Sequence, residues 1–146
     1  MPALTDVLTG DAKKAAVVDD CCVIIDEEVR DKSGLSGLAI KAGYAAVKGI
    51  KPGFIKQVVI DLLPEFAAAL DPLYQEAIQQ SARAGEHLVR NASRAADALL
   101  SITDRRAAKS KSGVVKGAYE KLRPSAKKNV EAAMPRVGRL VDKHAS

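Results

Sequence analysis

The sequence predicts an all-α fold: a single compact bundle of about six or seven helices, forming one domain over residues 1–146. Three observations carry the prediction. Aromatic residues make up only 3% of the chain and Trp is missing, so the core must be assembled from Ala, Val, Leu and Ile. Such a core suits closely packed helices, whereas sheets favour β-branched and aromatic side chains. Apolar residues also recur at three- and four-residue spacing, and no segment alternates with the period of two that a half-buried strand requires. Finally, Pro and Gly clusters cut the periodic stretches into helix-sized lengths.

The elements follow in order. Over residues 11–31, Val18, Cys21, Cys22, Ile25 and Val29 line one helix face, with Asp19, Asp20, Asp26, Glu27 and Glu28 mostly on the other. That spacing predicts that both cysteines are buried and reduced. "SGLSG" at 33–37 ends this helix and offers serine caps to the next, which runs from about 35 to 50 and is rich in small residues four apart. "KPG" at 51–53 breaks it, with Pro52 suited to the first turn of a short helix over 54–63. That helix is apolar almost all round, which predicts a buried centre. Pro64 ends it, and Asp71 before Pro72 reads as an N-cap. "SARAGEHLVRNAS" at 81–93 reads as a mobile connection. Ala92, Ala95, Ala96, Leu99 and Ile102 form another stripe, "KSKSG" at 109–113 a loop, and helices follow over about 114–122 and 124–143, the last bent at Pro135.

Charge is unevenly placed. The net charge is +5, but residues 1–100 carry 11 Lys/Arg against 14 Asp/Glu, and residues 101–146 carry 12 against 4. A basic C-terminal third suggests an acidic partner, nucleic acid or an anionic lipid surface, although such an excess also serves solubility. The adjacent Cys21 and Cys22 do not form a spaced disulfide framework, which points to a reducing, cytoplasmic setting. No apolar run reaches the length of a transmembrane segment, and the N-terminus does not read as a signal peptide.

A frame recurs: "KAGYAAVK" at 41–48 and "KGAYEKLR" at 116–123. Lys51 and Pro52 align with Arg123 and Pro124, and the likeness continues, after a one-residue gap, to Asp71 and Asp142. The frame admits two readings. One is a duplicated helical hairpin, with pseudo-repeat units at 41–71 and 116–142 and Pro52 and Pro124 opening equivalent helices; the other is chance likeness between Lys- and Ala-rich helices. Within it, Lys41, Tyr44, Lys48 and Lys51 make one stripe and Lys116, Tyr119 and Arg123 a second. Each Tyr would sit where core meets basic surface. On the last helix Ala126, Val130, Ala133, Val137 and Leu140 form the apolar face, opposite Lys128, Arg136, Arg139 and Lys143.

Signatures of catalysis are missing. His87 and His144 have no Cys or carboxylate neighbours in metal-ligand spacing, "SGLSG" lacks the Lys-Ser/Thr of a phosphate loop, and no cofactor is implied. The expectation is therefore a non-enzymatic cytoplasmic binding protein that recognises a polyanion through the two stripes and the last helix. The alternative is a structural or adaptor protein whose Ala39, Gly43 and Ala46 face meets a partner or a second copy.

The segments "DKSGLSGLAIKAGYAAVKGIKPG", "LLPEFAAALDPLY", "ADALLSITDRRA" and "AYEKLRPSAKKNVEAAMPRVGRLVDKHA" resemble a family of small actinobacterial and myxobacterial proteins of unknown function. The resemblance covers nearly the whole chain. It implies an all-helical bacterial protein and supplies no activity, ligand or catalytic residue.

Overall fold

The structure, a computed structural model, describes residues 3–145, with the side chains of residues 35 and 36 left aside. Among the described residues there are seven helices and no strand: α1 (Leu4–Thr9), α2 (Lys14–Asp31), α3 (Gly34–Lys48), α4 (Phe54–Gln79), α5 (Ala84–Arg90), α6 (Ala92–Lys109) and α7 (Gly113–Ala145). The all-α bundle expected from composition is what forms.

The prolines behave differently from expectation. Helix α4 runs through Pro64 and Pro72, and α7 through Pro124 and Pro135. All four are exposed, so the carbonyl that each leaves without an N–H partner can be served by water while the helix resumes beyond it. The short helix over 54–63 is thus the first part of a 26-residue helix, and the buried centre lies further on, at Leu63, Ala67, Leu70, Leu73, Tyr74 and Ala77. Pro52 lies in the turn before α4, where Gly53 takes φ +76° as the N-cap. Pro124, by contrast, is inside a helix. Residues 41–71 therefore form helix–turn–helix while 116–142 form one helix, and the duplicated-hairpin reading fails.

Asp71 does cap a helix, but not its own: its Oδ1 accepts the Leu4 N–H at 2.7 Å, satisfying an orphan donor at the start of α1. Ser33 is the N-cap of α3 without a side-chain bond to it. The cap expected of Ser36 lies outside the described residues. The stretch read as a mobile connection contains α5, whose Gly85, His87 and Leu88 are buried.

The core joins Leu4 and Leu8 of α1, Val17 and Val18 of α2, the middle of α4, Leu88 of α5, Ala95 of α6, and Met134, Leu140 and Val141 of α7. Helix α7, about 50 Å long at 1.5 Å per residue, is packed by α1, α2, α3, α5 and α6. Helices α5 and α7 cross closely, and a Cβ on Gly138 would fall 2.8 Å from the Gly85 carbonyl oxygen and 2.9 Å from its Cα.

Candidate anion-binding surface

The two tyrosines of the repeated frame do the same work. Tyr44 donates its hydroxyl hydrogen bond to Asp26 of α2, and Tyr119 donates to Asp104 of α6. Burial first, and then the carboxylate beside it, pushes the Tyr44 phenol up to about 12; the Tyr119 phenol is raised by the same causes. Each ring thus anchors its helix to a neighbour, with the basic residues around it. Lys48 Nζ sits 5.5 Å from the centroid of the Tyr44 ring, and Arg123 forks onto both Asp104 oxygens at 2.8 and 3.1 Å.

The basic residues themselves divide. Lys41, Lys48, Lys51, Lys116 and Lys128 are exposed, and among the described residues none forms an ion pair. Arg136 is drawn inward: its side chain is 24% exposed and its guanidinium is shared between Glu28 and Asp31. Lys143 reaches Asp20 at 3.0 Å. Arg139 is exposed and lines a cleft near the end of α7. The face expected to point to solvent is therefore rotated, because Met134, Gly138 and Val141 take the core side and leave Arg136 facing α2. Lys116 and Lys143 are about 40 Å apart along α7. The single joined surface expected of all these residues is not what the helix presents.

Helix α3 brings the free lysines together. Gly37, Ile40, Gly43 and Val47 turn inward, and a Cβ on Gly43 would touch Leu122 of α7 at 3.1 Å. Leu38, Ala42 and Ala45 turn outward, Leu38 at 65% exposure. Lys41 and Lys48, seven residues apart, line one edge of that apolar face, and Lys51 with the 37% exposed Ile50 follows in the next turn. The proposed small-residue face of Ala39, Gly43 and Ala46 is split: Gly43 is taken up by this chain's own Leu122, while Ala39 and Ala46 stay exposed. A signal for this surface lies in the sequence: from Lys32 to Ile60 there is no Asp or Glu.

Both cysteines are half-buried and free, where full burial was expected. The core face of α2 is rotated toward Val17 and Ile24, which puts Cys21 deeper than Cys22. Burial pushes the Cys21 thiol up to about 11, away from the reactive thiolate. Both histidines are buried and bonded to carboxylates remote in sequence. His87 Nε2 lies 3.0 Å from Glu76, which also forks with Arg94 of α6; His144 Nε2 lies 2.7 Å from Asp20. Glu76 is pulled down to about 2 by Arg94 and then His87, and Asp20 is lowered by His144 and then Lys143. Among the described residues, no three of His, Cys, Asp and Glu converge as a metal site would require, and no helix is long and apolar enough to cross a membrane.

The family assignment rests on the whole of this helical array, because a single family model matches residues 4–145, from the first turn of α1 to the end of α7. The chain belongs to DUF6918, a family of unknown function. No curated protein and no solved structure matches it. Membership in DUF6918 assigns no activity or ligand.

Proposed function

We propose that this DUF6918 protein is a binding protein, not an enzyme, and that it docks on an anionic lipid surface through α3. The observation that supports the reading most is the outward face of α3. This helix is at least as apolar as the central α4, yet only Gly37 and Ile40 of its described side chains are buried. One edge of its apolar face carries Lys41 and Lys48, without an ion pair among the described residues, within an acid-free stretch. A helix presenting apolar residues and lysines together suits the boundary of headgroups and acyl chains, where Leu38 and Ile50 lose water and the lysines meet lipid charge. Nucleic acid, the other polyanion, is served less well, because the aromatic of α3, Tyr44, is half-buried, tied to Asp26 and overlaid by Lys48, and the free cations of α3 are all lysine.

The test is co-sedimentation with phosphatidylserine-containing and with pure phosphatidylcholine vesicles, with duplex DNA in parallel. Binding to the anionic vesicles alone is expected, weakening as salt rises. Lys41→Glu with Lys48→Glu should weaken it roughly thirtyfold or more, at about 1 kcal/mol per lysine near the surface. Stability should change little, since both lysines are exposed. Leu38→Gln, which removes apolar surface without adding charge, should also reduce vesicle binding and leave any DNA binding unchanged. Equal binding to both vesicle types, or DNA binding lost with the lysines while vesicles are ignored, would refute the lipid reading. The adaptor reading uses the same exposed Leu38, and salt-independent self-association that Leu38→Gln abolishes would favour it.

A further inference from the structure

Among the described residues, arginine pairing with carboxylates has two exceptions, and they occupy one place. Of the nine arginines, Arg30, Arg90, Arg94, Arg105, Arg106, Arg123 and Arg136 each lie within 4 Å of a carboxylate. Arg83 and Arg139 have no such partner among the described residues, and both line the same open cleft of about 710 Å³. The cleft lies between the end of α4, the turn into α5 and the last turns of α7. Tyr74, Ile78 and Ala84 give it an apolar wall, and Lys143, paired with Asp20, lies at its rim. Ser81, in the turn beside it, is the one described non-glycine residue at positive φ, +54°. It closes α4, where the Ala82 N–H donates to the Ala77 carbonyl at 2.8 Å, as a left-handed residue at a helix end does.

We infer that this cleft binds a small organic anion, an oxyanion head held by Arg83 and Arg139 and an apolar body against Tyr74 and Ile78. The guanidinium fork matches carboxylate and phosphate oxygens, and its charge does not depend on pH in the working range. The volume is that of ordinary small-molecule sites. Asp142 also lines the cleft, its Oδ1 accepting the Gly85 N–H at 3.0 Å. Its charge opposes an anion, so a single arginine would be largely offset and both are needed. The site is separate from the outward face of α3.

Amide NMR spectra of the full chain, titrated with octyl phosphate, octanoate and inorganic phosphate, provide the test. Saturable shifts are expected at Arg83, Ala84 and the last turns of α7, with inorganic phosphate at least about tenfold weaker than octyl phosphate for want of an apolar body. The tighter of the two octyl probes identifies the head. Arg83→Gln and Arg139→Gln should each weaken binding about tenfold. Both side chains are exposed, so the thermal midpoint should hold and a lost signal can be read as lost binding. An absence of shifts at the cleft, shifts confined to α3, or unchanged affinity in the double variant would overturn the assignment.

Discussion

The two parts of α7 are packed by different rules. From 134 onward the helix buries Met134, Gly138, Leu140, Val141 and His144 against α1, α2 and α5. Over 113–133 it buries no residue fully, although α3 and α6 lie along it. In the later part the polar groups are enclosed as well: His144 on Asp20, the Gly85 N–H on Asp142 and, across α4, His87 on Glu76. In the earlier part, contacts are made by half-exposed side chains such as Tyr119, Arg123 and Asp104. The lesson is that one continuous helix serves as a core element along one part and as surface support along the other. The two glycines that test this are Gly138 and Gly117.

Gly138→Ala should have the largest effect. Its new methyl would fall on the Gly85 backbone, which cannot move aside as a flexible side chain would. Separating α5 from α7 should cost about 3 kcal/mol, the upper part of the usual range for overpacking. Urea unfolding of the variant checks this, and a change below about 1 kcal/mol would show that the α5–α7 crossing yields to a methyl group.

Acid should act through the carboxylates paired with arginine and histidine. Glu76 has a folded value of about 2 against an ordinary 4.5, so below about pH 5 the unfolded chain takes up the proton more readily. The stabilisation is therefore complete above about pH 5 and is lost as pH falls toward 2. Asp20, Asp31, Glu65 and Asp104 are lowered too and share that sign. Glu76→Gln should make thermal midpoint against pH visibly shallower between 5 and 2.5. If the slope is the same as in the parent chain, the Glu76–Arg94–His87 cluster is not held in solution.

The same contrast explains what the sequence discloses. Helices α2, α3 and α6 were legible because spacing and breakers are local. The prolines misled because whether a helix resumes after one depends on which face the proline occupies, and packing decides that. Tyr44 and Tyr119 were legible as boundary residues, but their partners Asp26 and Asp104 were not. Arg136 looked like surface charge because Glu28 and Asp31 lie more than a hundred positions away in the chain. Arg139 reads from the sequence as basic surface, whereas Arg83 lies in a segment that reads as a connection. Nothing local links the two; only the fold of α4, α5 and α7 brings them to one cleft.

Gly117→Ala should have the smallest effect and the opposite sign. The residue is inside α7, its φ is not in the left-handed region, and a Cβ there meets nothing within 4 Å. Alanine then adds no clash and removes freedom that the unfolded chain loses on folding, a gain of about 0.5–1 kcal/mol. Because residues 113–133 are thinly packed, that gain should appear first in local opening. Hydrogen exchange at the amides of 117–123 should slow by about threefold, with the amides of 134–144 changing less. Equal slowing in both parts would mean that α7 opens as one unit and that its two parts are packed alike. A faster exchange at 117–123 would mean that Gly117 meets a neighbour that the structure does not show. Slowing confined to the earlier part would establish that the α3-facing part of α7 opens on its own, leaving α3 free to settle on a lipid surface while the core around α5 stays closed.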